Sequence, residues 1–154
     1  KNVKNFFGER PENWTVTIGD LQDNVQSLGK ASVDRVVLDM LAPWECIDSV
    51  AHVLKPGGVL MVYVATTTQM STVVEGLRAD KRWTDPQGQE LIQRGWHLEG
   101  LAVRPNHRMQ GHTAFLVSTR RLADGAVLPP RRIRPAKGAS VNPLGSSEGG
   151  TGDD

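Results

Sequence analysis

A single cysteine, Cys46, has nothing to pair with inside the 154-residue chain, which excludes an internal disulfide framework and leaves no cysteine cluster for a metal. Its neighbours Trp44, Ile47 and Val50 place it on the apolar face of a helix, where a thiol is inert packing. A strong charge of either sign is also missing. The formal balance is +1, so no global field draws the chain to nucleic acid, and any such contact has to come from a local patch. No apolar run approaches the roughly 18 residues that span a bilayer. The opening stretch KNVKNFFGERPENW carries no apolar segment of the secretion type. These absences lead to the expectation of a soluble, cytoplasmic protein without a metal.

What the chain does have is 38% hydrophobic residues and nearly equal numbers of acids and bases, 17 against 18. That is the profile of one globular domain able to bury a core. TVTIGD (15–20) reads as a short β-branched strand ending in an acid. LQDNVQSLGKAS reads as a loop with one helical turn, and Val33 to Asp39 as a second strand. From Pro43, the residues Ile47, Val50, Ala51 and Leu54 fall at helical spacing, with proline suited to the first turn. Lys55-Pro56-Gly57-Gly58 stops that helix, and GVLMVYVAT (58–66) is a nearly unbroken apolar strand. Met70, Val73, Val74 and Leu77 then repeat the helical spacing.

Alternating strands and helices, with apolar central strands, predict an α/β fold with a parallel sheet covered by helices on both faces. After Trp83 the pattern changes. TDPQGQ is turn-like, strand material lies around Trp96 to Val103, and His112 to Leu122 is a strong strand. The last two are expected to form a terminal antiparallel hairpin at the sheet edge, joined by the loop 105–111. From Asp124 to Asp154 the composition turns to Pro, Gly, Ser and Arg, too little apolar material to repay ordering. A folded part over 1–123 and a disordered tail over 124–154 are therefore expected.

In DRVVLDMLAPWE (34–45) a greasy run stops on an acid. Ligands of open α/β sheets bind beyond the carboxyl ends of the strands, which makes Asp39 a candidate contact. A helix cap is the alternative reading of the same residue.

The order of elements, with LKPGG turning into a long apolar strand, resembles the second half of a Rossmann-like class I methyltransferase dependent on S-adenosylmethionine. More specifically, LDMLAPWE resembles the acid-then-Pro-Trp motif of the tRNA adenine-N1 methyltransferases that modify an adenosine in the T-loop. TQM, RGW and RPNHRMQGHTAFLV match that family as well. The match covers about residues 1 to 123. The family's glycine-rich cofactor loop, the acid that holds the cofactor's ribose and the small N-terminal domain have no counterpart in the sequence. Gly57-Gly58 precedes a strand, where a turn needs it. The expectation is therefore a piece of a larger enzyme, inactive alone.

The resemblance implies S-adenosylmethionine as cofactor, tRNA as substrate and a homotetramer whose neighbouring subunits build the RNA surface. It places Asp20 and the backbone of Leu21 at the cofactor's adenine, with a simple turn cap as the other reading of Asp20. It places Asp39 between methyl donor and target base. There a carboxylate accepting from the adenine N6 amine orients N1 and favours the positive charge developing on the ring. Pro43 and Trp44 are expected to fix that loop. Arg104, His107, Arg108 and His112, with Arg120 and Arg121 beyond them, form a candidate phosphate-contacting patch. His112 is equally readable as a structural hydrogen-bonding residue, His52 as a helix-face residue, and the basic stretch PPRRIRPAKG as solvated. A non-catalytic, methyltransferase-like RNA-binding or scaffold subunit is the competing reading. Retention of Asp39 favours catalysis, since a scaffold has no chemical need of it.

Overall fold

A computed structural model describes residues 2–130 of the chain. Its centre is β2 (Leu54–Val64), whose alternate residues Leu60, Val62 and Val64 are buried while Val59, Met61 and Tyr63 are half-buried. The strand lies between β1 (Val33–Asp39), to which it is parallel, and β6 (Phe115–Arg120), to which it is antiparallel. A fourth strand, β3 (Gln87–Glu90), pairs antiparallel with β6, giving the order β1-β2-β6-β3. Paired residues share a face, so Val36, Leu38, Leu60, Val62, Val117 and Thr119 form one inner surface.

Two helices cover that surface. α3 (Ile47–Val53) follows a 3-10 turn at Pro43–Cys46 and buries Ile47, Val50, Ala51 and Val53. α4 (Thr67–Asp80) buries Val73 and Leu77, with Met70 and Val74 packed around them. The apolar spacing read from the sequence is the spacing that reaches the core. α4 starts on a capping box: Thr66 Oγ1 accepts from the Gln69 backbone, and Gln69 Oε1 accepts from the Thr66 backbone. α3 ends at Val53 and β2 begins at once, so Lys55-Pro56-Gly57-Gly58, expected to stop the helix, lies inside the strand, which bends at Gly57, whose φ of +80° favours glycine. The β1–β2 register accordingly jumps from Val33↔Leu54 to Arg35↔Val59.

Four expectations are corrected. The sheet joins parallel and antiparallel strands as the α/β expectation has it, but helices do not cover both faces: the second face is only partly shielded, with Val37 69% exposed. Residues 15–20 form no strand, because no described strand offers them a ladder; Val16 and Ile18 stand exposed. Their neighbours include two short helices, α1 (Asn2–Phe7) and α2 (Leu21–Gln26). The turn-like QGQ belongs to β3, an exposed polar edge strand that hydrophobic periodicity does not reveal. Finally, the terminal hairpin exists but has different partners. β4 (Trp96–Glu99) pairs with β5 (Ala102–Pro105) in a separate two-stranded sheet, and β6 inserts into the main sheet, where Val117 is fully buried.

The expected boundary at 123/124 is bridged, since Asp124 pairs with Arg121 at 2.6 Å and with Lys30 at 3.0 Å. The rest of the expected tail, 131–154, lies outside the described residues, as does most of PPRRIRPAKG. Among the described residues no helix is long and apolar enough to cross a membrane.

Candidate functional site

The carboxyl ends of β1 and β2 gather the conspicuous polar groups. Asp39 closes β1 opposite Tyr63, is exposed, and among the described residues receives no hydrogen bond to its side chain. It is not a helix cap: the 3-10 turn begins four residues later, with Ala42 at its cap position. Pro43 is buried and Trp44 packs against the core cluster, so the short loop carrying Asp39 is anchored immediately beyond it. Cys46 below is buried, and burial, then the charges of Asp20 and Glu45, push its thiol pKa up. That leaves it a packing group.

Asp20 caps α2, its Oδ1 accepting from the Gln22 backbone at 2.7 Å. The cap reading therefore holds, yet it occupies one oxygen; no described donor reaches the other. Leu21, half-buried, opens the helix and packs against the core. Gln22 Nε2 donates to the Glu45 carbonyl at 3.3 Å, which ties Asp20 to the turn following Asp39. The two acids thus belong to one edge of the sheet.

The basic patch is dispersed. Arg104 lies on β5 opposite His97, and His107 and Arg108 follow in the exposed loop. His112 instead faces the main sheet: Nε2 donates to the Ala65 carbonyl at 3.0 Å and Nδ1 lies 2.5 Å from Glu90 Oε1. Arg120 and Arg121 sit at the opposite end of β6. Arg120 donates to the Gly57 carbonyl, and Arg121, 7% exposed, donates to the carbonyls of Ala51 and Leu122. They brace the turn at Gly57 and the end of α3, away from Asp39. His52 is an exposed residue of α3 whose backbone carbonyl accepts from Ala31.

Two residues of this edge were assigned no role in the sequence, although Gln69 lies within the TQM match. Gln69 donates to the Leu41 carbonyl in the Asp39 loop, and Glu90 holds His112. The T-x-x-Q spacing of a capping box could have flagged Gln69; nothing local flags Glu90. No group of three or more His, Cys, Asp or Glu able to hold a metal is present among the described residues.

No family model matches the chain. Over 121 residues it is 31% identical to the tRNA (adenine(58)-N(1))-methyltransferase TrmI of Thermus thermophilus, covering 79% of this chain and 46% of that protein. The chain is a relative of the TrmI methyltransferases. It is also 31% identical to the tRNA (adenine(57)-N(1)/adenine(58)-N(1))-methyltransferase TrmI of Methanocaldococcus jannaschii, over 67% of this chain and 36% of that protein. It therefore spans less than half the length of the TrmI relatives it matches. The fold agrees. A SAM-dependent O-methyltransferase from Thermotoga maritima superposes with a TM-score of 0.69 at 24% identity, over 86% of this chain and 46% of that one. The tRNA (m1A58) methyltransferase TrmI of Aquifex aeolicus gives 0.58 at 22%, over 62% and 38%.

Proposed function

We propose that this chain is the C-terminal half of the catalytic domain of a tRNA adenine-N1 methyltransferase, which transfers a methyl group from S-adenosylmethionine to an adenosine in the T-loop. The observation that carries the reading is Asp39: an exposed carboxylate with no described donor, at the carboxyl end of β1, on a loop pinned by buried Pro43 and by Gln69. A polar side chain without a structural duty on an anchored loop is available for a ligand.

The donor set fits one wall of a cofactor site. The second oxygen of Asp20, which no described donor reaches, would accept from an exocyclic adenine amine, and the backbone at Leu21 borders it. The glycines at 57 and 58 lie at the other end of β2, where Gly57 N–H donates to the Arg121 carbonyl, so they are not a methionine-binding loop. The cofactor, when bound, supplies an electrophilic methyl on a positively charged sulfur. Asp39 accepts from the N6 amine of a target adenine turned out of its stack, directing the N1 lone pair along the line of attack. As the bond from N1 to the methyl carbon formed and the methyl–sulfur bond broke, the sulfur would leave as a neutral thioether and the positive charge would pass to the adenine ring, where the negative charge of Asp39 would stabilise it. No base is required, because N1 of adenine carries no proton to be removed.

Further support comes from surfaces this chain leaves open. The unpaired edge of β1, the partly bare second sheet face and exposed Val16 and Ile18 are what a further half of the sheet would cover. The β4–β5 pair exposes Trp96, Leu98 and Val103, more apolar surface than an isolated two-stranded sheet sustains. That favours contact with another subunit and fits a homotetramer working on tRNA in the cytoplasm. Arg104, His107 and Arg108 on and beside this pair remain the proposed phosphate contacts.

The test is methyl transfer by the complete enzyme containing this chain, with labelled cofactor and two unmodified tRNA transcripts, one with the T-loop adenosine replaced by guanosine. Label appearing as 1-methyladenosine only in the unaltered transcript is the expected result. No transfer to either, with intact cofactor binding, favours the non-catalytic subunit.

A further inference from the structure

The two ring nitrogens of His112 face acceptors on different elements. A carbonyl oxygen can only accept, so the 3.0 Å contact to Ala65 requires a proton on Nε2. The 2.5 Å contact between Nδ1 and Glu90 Oε1 requires a proton between them. With Glu90 ionised on β3, both demands are met only by the imidazolium. The ring also packs against Phe115, centroids 4.5 Å apart. Glu90 is the one charged group it meets among the described residues.

The contact continues beyond Ala65. The Ala65 N–H donates to Gln69 Oε1 at 3.2 Å, an oxygen that also accepts from the Thr66 backbone at 3.1 Å. Gln69 Nε2 donates to the Leu41 carbonyl at 3.2 Å, two residues beyond Asp39. Glu90, His112, Ala65, Gln69 and Leu41 therefore form one hydrogen-bonded path along the carboxyl edge of the sheet. It runs from β3 to the loop after β1, the full width of the strand order.

We propose that His112 is a positioning residue: as the imidazolium it clamps the segment between β5 and β6 to the end of β2 and, through Ala65 and Gln69, fixes the loop that carries Asp39. The segment bearing His107 and Arg108 and the loop bearing the acid are thereby held in one register, and His112 does not itself touch substrate. Its function in catalysis rests on the reading of Asp39 above; its mechanical function does not. The Ala65 carbonyl, and then Glu90, raise the imidazole pKa above its ordinary value, in keeping with the geometry.

The experiment has two arms. In the full chain, 15N chemical shifts of His112 report its protons, and amide hydrogen exchange at Ala65 and Thr66, bonded to Gln69, and at Glu45, bonded to the Ala42 carbonyl in the Asp39 loop, reports the clamp. Both ring nitrogens should be protonated at neutral pH. His112→Ala should speed exchange at Ala65, Thr66 and, in the loop, Glu45 roughly tenfold. His112→Gln, which keeps one donor for Ala65, should restore most of the protection without its pH dependence. A singly protonated imidazole at neutral pH, or exchange in the loop unchanged by His112→Ala and His112→Gln alike, overturns the proposal. In the complete enzyme, His112→Ala should lower kcat with little change in KM for tRNA; loss confined to KM would make His112 a substrate contact and also overturn it. A clamp that responds as expected in an enzyme that never methylates tRNA sinks the Asp39 reading and leaves the positioning intact.

Discussion

Arg121 separates a reading of surface charge from one of buried structure. In the sequence it ends a basic run and reads as a phosphate contact, but its guanidinium is turned inward. Nε donates to the Ala51 carbonyl at 2.9 Å, Nη1 to the Leu122 carbonyl, and Nη2 to Asp124 at 2.6 Å. Ala51 lies in the last turn of α3, where carbonyls have no intrahelical partner and a cation complements the helix dipole. Arg121→Met keeps the aliphatic stem and removes every donor. Stranding the buried Ala51 carbonyl costs about 1–3 kcal/mol, and losing the bond to Leu122 about 1 kcal/mol. The pair with exposed Asp124 is screened by solvent and adds little. The sum is about 3 kcal/mol, or a fall of about 2 M in the urea midpoint at a slope of about 1–2 kcal/mol per M. Trp83, 2% exposed and bridged to Arg121, reports the transition by fluorescence. Asp124→Asn should cost far less. A loss below about 0.5 kcal/mol for Arg121→Met, together with weakened tRNA binding, would refute the buried-brace account.

Acid sensitivity should reside partly in Asp80. Burial alone would raise its carboxyl, but hydrogen bonds from the Arg82 side chain and backbone more than offset that and hold it below the usual range. A depressed carboxyl contributes stability present above its unfolded pKa of about 3.9 and lost as pH falls through the lower folded value. Denaturation series between pH 5 and pH 2 should therefore show a shallower decline for Asp80→Asn than for wild type, and parallel curves would contradict the assignment. At Asp20, Asn substitutes well as a cap while Ala does not, with a cost near 1 kcal/mol for Ala. Both Asp20→Asn and Asp20→Ala should weaken cofactor binding by calorimetry in the complete enzyme, and affinity kept in Asp20→Asn would reduce Asp20 to a cap.

The elements legible in the sequence are those whose pattern and packing agree. Val73 and Leu77 on α4, Val50 and Ala51 on α3, and Leu60 and Val62 on β2 are all buried as their spacing predicts. Where tertiary pairing decides, local pattern fails. TVTIGD has the composition of a strand but no described partner, whereas QGQE lacks that composition and pairs with β6 because an edge strand needs only backbone hydrogen bonds. The Trp96 to Pro105 stretch closes on itself because its short turn at Gly100 brings its own ends together, leaving β6 to fill the centre. The place of Asp39 at the carboxyl end of β1 was legible because where a strand ends is a local property. The burial of Arg121 and the pairing of His112 with Glu90 were not, since both depend on residues brought from elsewhere in the chain.

The most direct test of the central claim is steady-state methyl transfer to tRNA by the complete enzyme carrying Asp39→Asn. Asn preserves size and the exposed position but removes the charge proposed to face the developing cation. A fall of about 10²–10³ in kcat, with cofactor affinity within a few-fold of wild type, is the result expected of a preorganised electrostatic group. Wild-type kcat in Asp39→Asn and in Asp39→Ala would contradict the account.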